Sequence, residues 1–298
     1  MTAEVGLRPV LQKTALIGAG LVVVNTLISV SADAIAKDLI TSYAAPQLML
    51  LSGLIAVLLG LGAVAAGQGD RVLHTGSPRL VALRSALGAI STTGFFYALR
   101  FLPFAEIFVF IAIMPIFGAV LSGLVLRERL APTIWYALGL GLAGMLFLFP
   151  EGISGITTGH WIGLAASLSG SASIVLSRRI CKSHTHSMAQ VFYAQLACLI
   201  LGALLAPFVW QPMVLSDLAL LLAYTLFIIG TRWLMVVILR MLPAYVVMQI
   251  ANIQFLWMVL LGEHLFGEVT GAHLWVGSAL VVASGLWLIH SQRVAPAR

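Results

Sequence analysis

The stretch LMLLSGLIAVLLGLGAVAAG, Leu48–Gly67, runs the length of a membrane span without one charged side chain. About 20 residues at about 1.5 Å rise cross a hydrocarbon core of about 30 Å. Lipid offers no hydrogen-bond partner to an open backbone, so such a segment must satisfy its own peptide groups as a helix or close into a barrel. Barrel strands alternate apolar and polar residues, and this run does not. Similar runs fill the chain, which is 61% hydrophobic and 9% charged with a mean hydropathy of +1.06. A soluble domain carries about 25% charged residues. The fold class read from the sequence is therefore an all-α polytopic membrane protein.

Charges, prolines and polar clusters divide the apolar sequence into ten expected spans, at 11–36, 44–67, 79–100, 104–126, 132–150, 159–180, 188–209, 217–240, 244–262 and 270–290. The first run is long enough to remain as a span, so no cleavable signal peptide is expected. With the N-terminus in the cytoplasm, thirteen basic residues fall on the inner side: Arg8, Lys13, Arg71, Arg79, Arg84, Arg127, Arg129, Arg178, Arg179, Lys182, Arg240, Arg293 and Arg298. Only Lys37 and Arg100 fall outside, and Arg232 lies within a span. That asymmetry obeys the positive-inside rule and predicts cytoplasmic N- and C-termini. It also accounts for the net charge of +6 through topology and anionic-lipid contact, without nucleic acid. Cys181 and Cys198 have no metal-ligand or redox spacing and read as packing residues.

One phrase is written twice. ALRFLPFAE (Ala98–Glu106) and ILRMLPAYV (Ile238–Val246) share Leu-Arg-x-Leu-Pro at an interval of 140 residues. The same interval aligns Glu128 with Glu268, Trp135 with Trp275, Leu146 with Leu286 and Leu148 with Leu288, without a gap. Five spans, an odd number, separate the copies, so equivalent segments enter the membrane from opposite sides. Two inverted five-helix repeats are expected, 1–150 and 151–298. Inverted repeats characterise secondary transporters, because the two halves supply outward- and inward-facing states.

On these residues the chain resembles the EamA-type members of the drug/metabolite transporter superfamily. The Leu-Arg-x-Leu-Pro phrase before the fourth helix of each half, preceded by Ala98 in the first and Ile238 in the second, carries the likeness, with the closing elements LRERL (Leu126–Leu130) and FGEV (Phe266–Val269). It covers essentially the whole chain, extends to bacterial amino-acid exporters, the aromatic branch included, and implies a place in the bacterial inner membrane. Glu263 and His264 depart from the pattern, since a bulky apolar residue is common there. The resemblance implies export of small metabolites, most of all neutral or aromatic amino acids, by alternating access through a central cavity. Export of other small metabolites or drug-like cations, and a membrane enzyme or scaffold, are the alternatives.

Polar residues at membrane depth mark a substrate path, because lipid penalises them. The candidates are Asn25, Ser29, Ser91, Tyr97, Ser171, Tyr224, Arg232, Trp233, Gln249 and Asn252. Each has a plainer reading: the amides as interhelical hydrogen-bond partners, the hydroxyls as bonds to their own helix, the aromatics as packing. Arg232 is the sharpest signal. It lies eight residues from Arg240, about 12 Å along a helix, too deep to snorkel comfortably. It meets either a substrate carboxylate or an internal carboxylate or set of carbonyls. Pro103 and Pro243 read as first-turn residues of their helices and Pro115 as a kink, and all three are candidate hinges. The spans at 132–150 and 270–290 carry few strong polar groups and read as peripheral.

No phosphate-binding loop, HExxH motif or mid-membrane lysine occurs in the sequence, so no enzyme activity, cofactor or metal is expected. The carboxylates Asp33, Asp38, Glu106, Glu128, Glu151, Asp217, Glu263 and Glu268 all fall at span ends. That placement leaves facilitated diffusion open beside proton coupling. The expected partners are a small-molecule substrate, amino acids first, and membrane lipids, with a monomer sufficient.

Overall fold

The computed structural model describes residues 2–68, 72–101, 104–127, 132–146, 157–183 and 185–266, with isolated positions beyond. All regular structure among them is helical. The helices are α1 (Thr2–Ser42), α2 (Ala45–Ala63), α3 (Pro78–Phe101), α4 (Phe104–Leu121), α5 (Pro132–Leu146), α6 (Thr158–Ile180), α7 (Ser187–Leu205), α8 (Leu215–Met241), α9 (Ala244–Ala251) and α10 (Gln254–Phe266). Four segments are long and apolar enough to cross a membrane: Leu16–Ser42, Ala45–Gln68, Ser187–Phe208 and Leu215–Met241. Ile113–Leu126 and Ala244–Met258 are shorter apolar helices. The chain is a polytopic helical membrane protein. The last expected span, 270–290, and Pro103 lie outside the described residues.

Two boundaries differ from expectation. Helix α1 continues to Ser42 instead of stopping near residue 36, because no glycine or proline interrupts it before Pro46. Asp33 and Lys37 therefore lie inside the helix, not at its end or in an outer loop. The segment expected as one span at 244–262 is two helices, α9 and α10, which meet at Asn252–Ile253. Short i→i−3 bonds, from Ile253 N to the Ile250 carbonyl (3.0 Å) and from Leu256 N to the Ile253 carbonyl (2.9 Å), carry the backbone through the break.

The heaviest packing pairs α3 with α6, α2 with α7 and α1 with α8. Helices α3 and α6, which carry Arg84 and the Ser/Thr-rich turns, pack on each other. Small residues bring the pairs close: a Cβ on Gly94 would sit 2.8 Å from the Ala166 methyl, and one on Gly53 would sit 2.8 Å from the Leu199 backbone. Helix α5 packs chiefly on α4. Pro115 lies within α4, which stays helical through it, and Pro243 is the residue before α9, with φ −60° and ψ 147°.

Each end of the bundle is tied. At one end the Tyr43 hydroxyl donates to Asp217 Oδ2 at 2.8 Å. Beside it Gln47 exchanges two bonds with the backbone of Gln211, at 2.7 and 2.9 Å. At the other end Thr185 Oγ1 meets Thr75 Oγ1 at 3.2 Å and accepts from Gly76 N at 3.1 Å. There Arg240 donates to the Thr185 carbonyl at 2.9 Å, Arg178 to Leu239 O, and Arg179 to Val125 O at 3.3 Å. Arg178, Arg179 and Arg240 gather at this second end.

Candidate substrate-binding site

Helices α3, α7 and α8 bring three side chains together in the interior. Nη2 of Arg232, on α8, lies 3.5 Å from Thr92 Oγ1 on α3 and 3.8 Å from Cys198 Sγ on α7. Charge-assisted hydrogen bonds are normally about 2.7–2.9 Å, so both contacts are weak. Thr92 already donates to the Gly88 carbonyl at 2.9 Å, which leaves its lone pairs facing the guanidinium. No described carboxylate forms an ion pair with Arg232. A positive charge is thus held in the bundle by one hydroxyl and one thiol.

Other ionisable groups flank it. Tyr224 is buried within electrostatic reach of both Arg232 and Asp33. Asp33 sits nine residues before Ser42, about 13 Å into the helix, which corrects the expectation that every carboxylate lies at a span end. Arg84, counted among the inner-side charges, is a buried residue of α3, 8% exposed, and its Nη1 donates to the carbonyl of Gln190, in the first turn of α7, at 2.5 Å.

The remaining candidates separate by what they touch. Ser91 donates to the Ala166 carbonyl at 2.8 Å and Ser171 to Met114 O at 3.1 Å. These hydroxyls fasten neighbouring helices, α3 to α6 and α6 to α4. Ser29 and Tyr97 are half-buried. Trp233 is 43% exposed, one residue and about 100° around the helix from Arg232. Asn25 and Asn252 are buried, and the side-chain carbonyl of each has no partner. Gln249 is buried and already engaged. Near Asn25, Trp257 Nε1 donates to Thr26 Oγ1 at 3.1 Å, tying α10 to α1.

The chemistry that fits is recognition. Among the described residues no three His, Cys, Asp or Glu side chains come together to hold a metal. A guanidinium without an acid favours an anion, and orphaned amide carbonyls favour a donor such as an ammonium group.

Residues 16–149 match the EamA-like transporter family. The first half of the chain is EamA-like. That segment contributes Asn25, Ser29, Arg84, Ser91, Thr92 and Tyr97, whereas Arg232 lies beyond it. Two relatives, both described as the pseudopaline exporter CntI, come from Pseudomonas aeruginosa. The protein of strain UCBPP-PA14 is 24% identical over 193 residues, and that of strain PAO1 is 26% identical over 197. Each alignment covers 64% of this chain and 67% of the relative. A solved structure described as "Crystal structure of protein" superposes with a TM-score of 0.68 at 20% identity, over 95% of this chain and 99% of that one. The likeness of fold therefore runs past the EamA-like segment into the second half.

Proposed function

We propose that the chain is a secondary transporter of the EamA type, exporting small carboxylate-bearing metabolites, amino acids among them, from the cytoplasm. The observation that carries this reading is Arg232, a deep cation whose described neighbours are a hydroxyl at 3.5 Å and a thiol at 3.8 Å. A substrate carboxylate supplies the strong partner it lacks. Asn25 and Asn252, with their unpartnered carbonyls, receive the ammonium group of the same solute. Two inverted repeats, 1–150 and 151–298, alternate access to this centre, with both termini in the cytoplasm and the chain in the bacterial inner membrane. Pairing of α1 with α8 and of α3 with α6 supports that symmetry, because the interval of 140 residues exchanges the two pairs. An aromatic preference draws less support, since Trp233 stands exposed.

Counterflow into proteoliposomes tests the reading. Labelled amino acids should accumulate against a preloaded pool of the same solute, with pseudopaline, the cargo named for the relatives, in the same panel. Counterflow of pseudopaline without any amino acid would move the substrate class to metallophores. Inactivity toward every carboxylate would defeat the transport reading.

A further inference from the structure

We propose that Arg84 is a second anion-binding group on the path that leads to Arg232, and that the preferred solutes carry two carboxylates. The inference rests on the transport reading above and concerns the substrate of the same site. Arg84 is 8% exposed. The Gln190 carbonyl satisfies its Nη1, but its Nε is buried with no partner. Immediately beside it, Ser85 is 3% exposed and its hydroxyl is also unpartnered. Ser85 and Thr92 are seven residues apart on α3, which places them on one face, about 10 Å apart along the axis. Thr92 touches Arg232, so the Ser85 face of α3 leads to the central guanidinium, with Arg84 one residue and about 100° around the helix from it.

Charge makes the same case. Arg84 and Arg232 lie within electrostatic reach of each other, both are near Cys198, and no described carboxylate pairs with either. Two like charges in a low-dielectric interior repel, and Arg84 is buried while Arg232 is half-buried. A purely structural arginine in such a place is normally surrounded by carbonyls or paired with an acid. Arg84 has one carbonyl, a bare Nε and a second cation nearby. One anion relieves Arg232 but leaves Arg84 and the repulsion only partly met, whereas a solute with two carboxylates answers both guanidinium groups. Arginine suits the task because its planar fork can hold a carboxylate through two parallel bonds.

Isosteric pairs test this directly, because glutamate and glutamine, or aspartate and asparagine, differ by one negative charge at equal size. In counterflow with the reconstituted full chain, the diacid should be preferred by about tenfold or more, the loss typical of one buried charge-assisted contact. Arg84→Gln should bring the glutamate-to-glutamine ratio near one. Arg84→Lys should keep part of the preference, since it keeps the charge. A wild-type protein that moves glutamine as well as glutamate overturns the proposal, and this comparison needs no variant to fold. A folded Arg84→Gln protein that loses both solutes equally also overturns it, because Arg84 would then serve the fold alone. If no carboxylate moves at all, the transport reading fails and takes this inference with it.

Discussion

Arg232 Nη2 and Thr92 Oγ1 are 3.5 Å apart in space and 140 residues apart in sequence. That interval is also the one separating the two Leu-Arg-x-Leu-Pro phrases. Positions related by an inverted repeat meet only near the axis that relates the halves. Under the proposed inverted repeat, contact between Thr92 and Arg232 puts that axis between α3 and α8. A side chain there is equally available to either side of the membrane in turn, which is what a transported solute requires of its binding group.

Cys198 is a built-in reporter of that centre. It is 3% exposed and lies 3.8 Å from Arg232, while Cys181 sits at the far end of α6, 3.7 Å from the Val236 carbonyl. In a Cys181→Ser protein, a small thiol reagent should modify Cys198 slowly, and saturating solute should slow it further. Mass spectrometry of the labelled protein reads the rate. Fast labelling unchanged by any transported solute would place Cys198 outside the path.

Helices α2 and α7 should tolerate no side chain at their crossing. A Cβ on Gly202 would lie 2.8 Å from Leu50 Cα, against rigid backbone on both sides. Gly202→Ala should cost about 1–3 kcal/mol through overpacking and lower the thermal midpoint in detergent. Gly62→Ala is the control, because a Cβ there meets nothing within 4 Å. Equal midpoints for the two variants would contradict the packing described.

The tie between Tyr43 and Asp217 carries a pH signature. The hydrogen bond to Asp217 raises the Tyr43 phenol above its ordinary 10.0, with burial adding to it. A raised folded-state value means that the neutral, donating phenol is favoured. The bond's stabilisation is complete below pH 10 and is lost only as the pH climbs through the raised value. Ultraviolet titration of the wild type minus Tyr43→Phe should show one phenol ionising above pH 10. Ionisation at or below the ordinary value would mean that the bond does not form.

Much of this was legible in sequence, and the exceptions share a physical cause. Arg232 stood out because it interrupts an apolar run far from either end. Arg84 did not, because VALRSALG lies close enough to a span boundary for the arginine to read as an inner-side charge. Its burial against Gln190 is a tertiary feature that the local sequence does not announce. Asp33 was assigned to an end because the first span was closed too early, although no helix breaker stands between Ser31 and Pro46. Polar composition alone could not separate Ser91 and Ser171, which fasten helices, from Thr92, which faces Arg232, since all sit in Ser/Thr-rich turns. The break at Asn252 has no glycine or proline to announce it.

Topology can be checked through the same ends. Single cysteines placed at Ser77 and Lys182 should be shielded from an impermeant reagent in intact cells, and one at Asp217 should react. The reverse pattern would invert the orientation and with it the direction of transport.

The most direct measurement compares an amino acid with its α-amide in counterflow, in the wild type and in Arg232→Ala and Arg232→Lys proteins. If Arg232 holds the carboxylate, the wild type prefers the acid, and Arg232→Ala weakens the acid by about tenfold or more while leaving the amide near its original level. Arg232→Lys rescues poorly, because an ammonium group cannot reproduce the bidentate fork. A folded Arg232→Ala protein that still transports the acid as the wild type does would contradict the assignment.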